Sequence, residues 1–173
     1  MSPIITIDNL MKTFGGVCAI DSFCVLLEKN TVHGLIGPNG AGKTTIFNTI
    51  SGIYKPDSGR VSFGDRDITG LEPYQVCQAG IGRTFQNIRL FQQLSVIENV
   101  FIASHMDGDY NIFEALLRLN KFRKTENKLR ENSKELLNIL GLGDRLHEKA
   151  GSLPYGHQRK LEIARAMATR PKL

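Results

Sequence analysis

Residues 37–44 read Gly-Pro-Asn-Gly-Ala-Gly-Lys-Thr and meet the pattern G-x-x-x-x-G-K-[ST] at every fixed position. The pattern constrains the fold because these residue types serve one geometry. Gly37, Pro38, Asn39, Gly40, Ala41 and Gly42 form a tight loop whose backbone N–H groups converge on an anion, and a helix follows at once. A Cβ at Gly40 or Gly42 would obstruct the approach of phosphate oxygens to those amides. The helix starting near Lys43 aims its free N–H groups and its positive dipole end at the same place. Lys43 supplies a point charge to the β- and γ-phosphates, and the Thr44 hydroxyl is a ligand for Mg2+. The flanks agree. Val32-His33-Gly34-Leu35-Ile36 reads as a short apolar strand, and Ile46, Phe47 and Ile50 share a helical face before Gly52 stops the helix. A strand, this loop and a helix together predict a nucleoside-triphosphate site in an α/β protein.

Elsewhere the first half reads as strands and turns. Ile4-Ile5-Thr6-Ile7 and Ser22–Leu27 are strand-like, and Glu28-Lys29-Asn30 is a polar turn. Asp57-Ser58-Gly59 is turn chemistry ahead of a brief strand at Arg60–Phe63. Ile81–Gln86 is ambiguous and fits the end of another strand. Ser95 and Glu98 form a capping box, so a helix begins there and the chain is mostly helical afterwards. Leu129, Leu136, Leu137 and Leu140 share a face, with Gly141 as a stop. Leu153 to Gly156 reads as a turn into a final helix. The organisation is a β-rich and phosphate-loop part at 1–88 and a helical part at 89–173.

Bulk properties remove several classes. The composition, 41% hydrophobic and 23% charged over 173 residues, is globular. No apolar run reaches the roughly 18 residues that cross a bilayer, and the first thirty residues lack a signal-peptide pattern, so a cytosolic chain is expected. Cys18, Cys24 and Cys77 have no metal-ligand spacing and are expected to be buried, reduced thiols. Much of the net charge of +5 sits at residues 121–135, where Glu126 and Arg130 are spaced for an i,i+4 pair on a solvated face. No nucleic-acid partner is expected.

Three stretches carry a family resemblance: Leu35 to Thr45, Arg83-Thr84-Phe85-Gln86, and Leu153 to Ala168. Together they resemble the ATP-binding subunits of ABC transporters, and Gly80 to Gln86 with Tyr155 to Ala166 look most like the branched-chain amino-acid importers. The resemblance implies a P-loop NTPase of the ABC ATPase type, with an antiparallel β subdomain, a RecA-like core and a helical subdomain. It implies ATP and Mg2+ as cofactors, with Thr45 joining the phosphate loop and Phe14 stacking on adenine. It implies that Gln86 reaches Mg2+ and the attacking water. Tyr155, Gly156 and His157 stand in the family's signature, which caps the nucleotide of the partner subunit in a head-to-tail dimer. Here Pro154 replaces the signature serine, Tyr155 the first glycine and His157 the glutamine. The implied partners are a second ATP-binding subunit, alike or different, two membrane permeases and, indirectly, a periplasmic solute-binding protein. The implied place is the cytoplasmic face of the membrane, as a peripheral subunit.

After Arg170-Pro171-Lys172-Leu173 the family has a strand ending in an Mg2+-orienting Asp, an adjacent Glu that polarises water, and later a His that senses the γ-phosphate. The 173 residues contain none of these, so the chain is expected to be C-terminally incomplete and to hydrolyse ATP poorly. The strands lying beside the phosphate-loop strand are expected to be missing with them. Two other readings stand beside the transport motor: a short nucleotide-binding module without turnover, and an ABC ATPase outside transport.

Overall fold

The strand at Ile4–Ile7 continues well past its apolar pattern. In the computed structural model, which describes residues 3–107 and 120–173, β1 spans Ile5–Phe14 and β2 spans Val17–Leu27. They pair antiparallel, with Ile5 opposite Leu27 and Phe14 opposite Val17. Gly15 and Gly16 turn the chain at φ of 52° and 88°, the positive pair that keeps a two-residue hairpin turn in step with strand twist. The ladder slips between Ile7 and Leu10, where Asn9 has φ 46°. That slip breaks the period of two, so Leu10 is buried after Ile5 and Ile7 while Asn9 stays exposed. β3, Ser58–Phe63, pairs with the other edge of β1, and β4, Arg66–Asp67, pairs with β3, giving the order β2-β1-β3-β4.

Residues up to Ile81, with Leu173, form one compact unit, and Gly82–Lys172 form another. In the first, Ile5, Ile7, Leu10, Val61 and Phe63 of the sheet pack with Ile46 of α1 (Lys43–Ile50) and Val76 of α2 (Pro73–Ala79). Burying each such side chain is worth about 1.5–3 kcal/mol, which holds α1 to the sheet. Helix α2 escaped the sequence reading, although Pro73 at the first helical position and a reciprocal Glu72–Gln75 capping box announce it.

Several expectations are corrected. Residues 32–36 form no ladder with any described residue. Val32 is fully and Ile36 almost fully exposed, while Leu35 is half-buried against the core. Phe47 is also exposed, so Ile46 alone of the expected helix face is fully buried. Ile81–Gln86 is not a strand. Cys18 and Cys24 are exposed and Cys77 is half-buried, and none of the three is in a disulfide; the Cys24 Sγ accepts from the Asn9 N–H at 3.1 Å beside the bulge.

The second unit packs α3 (Val96–Ser104) against α4 (Asn120–Ile139) and α5 (Tyr155–Ala168), with a 3-10 turn at His105–Asp107. The Ser95 box forms as expected: the hydroxyl accepts from the Glu98 N–H at 3.3 Å, and the Glu98 carboxylate accepts from the Ser95 N–H at 2.8 Å. Val96, Val100, Leu137, Leu153 and Leu161 fill the core. On α4, Leu129 and Leu137 are buried and Leu136 is half-buried, as is Leu140 just past its end. The part of the helical expectation that falls on residues 112–119 lies outside the described residues. The Glu126–Arg130 face is less solvated than its spacing suggests. Glu126 is half-buried and bonds His105 Nε2 at 2.9 Å, and the Arg130 guanidinium lies 5.2 Å from the Phe101 ring centre. Residues 91–94 belong to no helix or strand, Ser95 makes only an isolated bridge to Lys149, and the fully buried Asn99 supplies partners at both ends of the run. Its Oδ1 accepts from the Phe91 N–H at 2.9 Å, and its Nδ2 donates to the Phe91 and Ser95 carbonyls at 3.0 Å.

Asn99→Ala is expected to destabilise the second unit by about 1–3 kcal/mol, since the Phe91 N–H loses its partner and the Phe91 carbonyl keeps only the Leu94 N–H; urea unfolding followed by circular dichroism reads the loss. Acid acts on the first unit. Asp57 accepts from Lys12 Nζ, Thr13 Oγ1 and the Thr13 N–H, each at 2.7 Å, and these bonds, Lys12 first, lower its pKa from 3.8 to about 2. A carboxylate depressed on folding contributes stability above its unfolded value and loses it as pH falls through its folded value. Asp57→Asn is therefore expected to lower melting temperature at pH 5 and to narrow its gap from the parent as pH drops from about 4 to about 2. An unchanged gap across that window would remove Asp57 from the acid limb.

Candidate nucleotide-binding site

The loop at 37–42 is shaped by one close approach. Gly42 has φ 79°, and a Cβ built on it would fall 2.2 Å from the Ala19 carbonyl oxygen of β2. Any side chain would push the loop off the sheet, so packing as well as phosphate access demands glycine here. Gly40 has φ 86° and open space around it, so its requirement is conformational. Pro38, Asn39, Gly40 and Ala41 face solvent. The Ala41 N–H donates to the Pro38 carbonyl at 3.2 Å, closing the turn.

Lys43 opens α1 and its Nζ donates to the Gly37 and Pro38 carbonyls, both at 2.6 Å. The ammonium thus sits inside the curl of the loop. The first backbone bond of α1 runs from the Ile46 N–H to the Gly42 carbonyl at 2.9 Å, and no side chain caps this helix end. The N–H groups of the first turn, Lys43, Thr44 and Thr45, therefore face the loop with the helix dipole behind them, an arrangement suited to an anion. Thr44 is exposed at the same end and presents a hard oxygen, and Mg2+ takes few protein oxygens and fills its shell with phosphate and water. The cradle fits a nucleotide phosphate with its cation.

Phe14 is not core: it is 42% exposed at the end of β1. Its orientation is fixed from three sides. Tyr54 meets it edge-on at 5.1 Å between ring centres, Lys12 Nζ lies 5.5 Å from its ring centre, and Asp57 ties down Lys12 and Thr13 just before it. Phe14 pairs with Val17, two residues before Ala19, so the hairpin end that carries the ring also flanks the loop. Tyr54 was not singled out from sequence and Asp57 was read only as turn chemistry; their contacts bridge some 40 residues, and no local pattern announces them.

In the second unit Gln86 is exposed. Leu153 is buried and Pro154 is the N-cap of α5, at φ −55° and without a side-chain bond; its carbonyl accepts from the His157 and Gln158 N–H groups at 2.9 and 3.0 Å. Tyr155 and Gly156 lie in the first helical turn, a correction to the expected loop up to Gly156. A Cβ on Gly156 would meet nothing within 4 Å, so its surroundings are open. Tyr155 is exposed, and its hydroxyl accepts from Arg159 Nε at 3.2 Å. Arg159 in turn reaches the backbone beside Gln86: Nη1 donates to the Phe85 carbonyl at 2.7 Å and Nη2 to the Gln86 carbonyl. The structure thus joins the Gln86 stretch to the Tyr155 helix through Arg159, a residue whose role its sequence position did not reveal.

The sequence pattern of the ABC transporter family matches residues 21–173. The chain is 39% identical over 171 residues to the high-affinity branched-chain amino acid transport ATP-binding protein LivG of Salmonella typhimurium, covering 99% of this chain and 67% of that protein. It is 38% identical over 171 residues to BraF, of the same description, from Pseudomonas aeruginosa, again covering 99% and 67%. Among solved structures it superposes on MJ1267, an ATP-binding cassette of an ABC transporter, with a TM-score of 0.81 at 34% identity, covering 99% of this chain and 67% of that one. The ADP conformation of MJ1267 gives a TM-score of 0.80 at 34% identity, covering 99% and 66%. A loop built for phosphate, matched across nearly the whole chain by such proteins, is not a chance motif: the chain belongs to the ABC transporter family of ATP-binding proteins.

Proposed function

We propose that this chain is the ATP-binding subunit of an importer of amino acids, branched-chain ones in the first place, and that ATP binding and hydrolysis in a head-to-tail dimer energise the uptake. The observation that carries the reading is the phosphate cradle, where Gly42 packs on Ala19 and Lys43 opens an uncapped helix. The names of LivG and BraF support the solute class. ATP is held by the loop from Gly37 to Thr45, with Phe14 against adenine; Mg2+ takes Thr44 and Gln86 as ligands. Tyr155, Gly156 and His157 face the nucleotide of the partner subunit, where α5 offers N-terminal amides and carries no acidic residue in its first turn. Residues 1–88 serve the nucleotide, and 89–173 serve the partner subunit and the permeases. The partners are two permeases, a second ATP-binding subunit and, through the permeases, a periplasmic solute-binding protein. Among the described residues no helix is long and apolar enough to cross a membrane, which accords with a peripheral subunit at the cytoplasmic face.

Two measurements on the 173-residue chain test this. Binding of a fluorescent ATP analogue with Mg2+ is expected, and Lys43→Ala should weaken it by about tenfold or more, because one ammonium on a phosphate is worth at least about 1.4 kcal/mol. Phosphate release by residues 1–173 should stay near background, since none of these residues stands as the Mg2+-orienting Asp or the water-polarising Glu that the resemblance implies. Robust release abolished by Lys43→Ala would contradict that second expectation, and unaltered binding in Lys43→Ala would sink the site.

A further inference from the structure

Residues 85–89 have no ladder or helix of their own, and three side chains of α5 supply their partners. The Phe85 N–H donates to Glu162 Oε1 at 3.3 Å, and the Phe85 carbonyl accepts from Arg159 Nη1 at 2.7 Å. The Gln86 carbonyl accepts from Arg159 Nη2, and the Arg89 carbonyl from Arg165 Nη1. Glu162 is only 6% exposed and also pairs with Arg159 Nη1 at 2.9 Å. One guanidinium therefore bonds two successive carbonyls and a buried carboxylate at once, which a planar fork can do and an ammonium cannot. The Arg159 contacts cross 73 and 74 residues of sequence, and the Glu162 contact crosses 77. The same Arg159 touches the Tyr155 hydroxyl, one residue from Gly156.

We propose that Arg159 and Glu162 are positioning residues that lock the backbone at Phe85 and Gln86 to the helix beginning at Tyr155, so that a displacement of Gln86 is carried rigidly to Gly156 and His157. This rests on the reading that Gln86 and the Tyr155–His157 turn both serve ATP. The link is mechanical: a backbone held at its N–H and two carbonyls follows the helix that holds it. Arg165 is a second anchor. Its ring contact lies 4.9 Å from the Phe91 centre, and its buried Nε has no hydrogen-bond partner among the described residues, so the Arg89 carbonyl and Phe91 are what keep it in place.

The test uses Arg159→Met, which keeps the apolar stem, and Arg159→Lys. Amide exchange in the 173-residue chain should speed up by about tenfold or more at Phe85 in Arg159→Met, with Val100 and Leu137 unchanged and with only partial recovery in Arg159→Lys. In the native transporter purified with its permeases, Arg159→Met should lower kcat for ATP by about tenfold while KM stays within about twofold, because the nucleotide cradle is untouched. Unchanged exchange at Phe85, full recovery by lysine, or an equal loss of protection at Val100 would overturn the lock. If the parent chain bound no ATP while Phe85 still lost protection in Arg159→Met, the proposed function would fall, and the lock with it would be reduced to a structural brace.

Discussion

The contact between Gly42 and the carbonyl of Ala19 is the one on which the nucleotide side of the molecule depends. Its placement is inherited from the sheet. The Gly15–Gly16 turn sets the register of β1 with β2, the register puts Ala19 where the loop crosses, and the loop then releases α1 at Lys43. Ile46 buries on the sheet core and fixes the helix direction, so its N-terminal amides point where the loop curls. Each link is local, yet a register slip of one residue in the hairpin would present a side chain or an N–H where the Ala19 oxygen now stands.

The helical unit solves a different problem. Its stretch from Phe85 to Ser95 crosses between elements without a ladder, and buried peptide groups still need partners. Side chains supply several of them, Asn99 from α3 and Arg159, Glu162 and Arg165 from α5, beside backbone bonds from Ala150 to Leu94 and from Gly151 to Gln92. Such bonds reach across the fold and make an irregular segment as well held as a strand. They also place polar and charged groups in half-buried sites, where losing one partner costs more than the bond itself was worth.

How much of this was legible in the sequence follows from the range of each interaction. The phosphate loop, the Ser95–Glu98 box and the stop at Gly141 depend on residues a few positions apart, and these could be read, whereas the final helix begins two residues earlier than the expected turn allowed. Helix α2 carried the same kind of signal in Glu72, Pro73 and Gln75 and was readable too, though too short to show a period. Residues 32–36 have the composition of a strand, but a strand is a relation between neighbours, and no described residue pairs with them. Cys18 and Cys24 misled because a hairpin end and a bulge, not residue type, decide their exposure. Glu126 and Arg130 had the spacing of a surface pair, but the half-buried Glu126 also meets His105 21 residues away. At the site, the loop residues were readable as a set; Tyr54, Asp57, Arg159 and Glu162 were not, since they act across 40 to 77 residues.

The unpaired run at 32–36 has a thermodynamic consequence. Val32 and Ile36 keep their apolar side chains in water, and each forgoes the roughly 1.5–3 kcal/mol that burying such a side chain brings. The stability of the first unit therefore rests on Ile5, Ile7, Leu10 and their neighbours, and this run adds to it only through the half-buried Leu35.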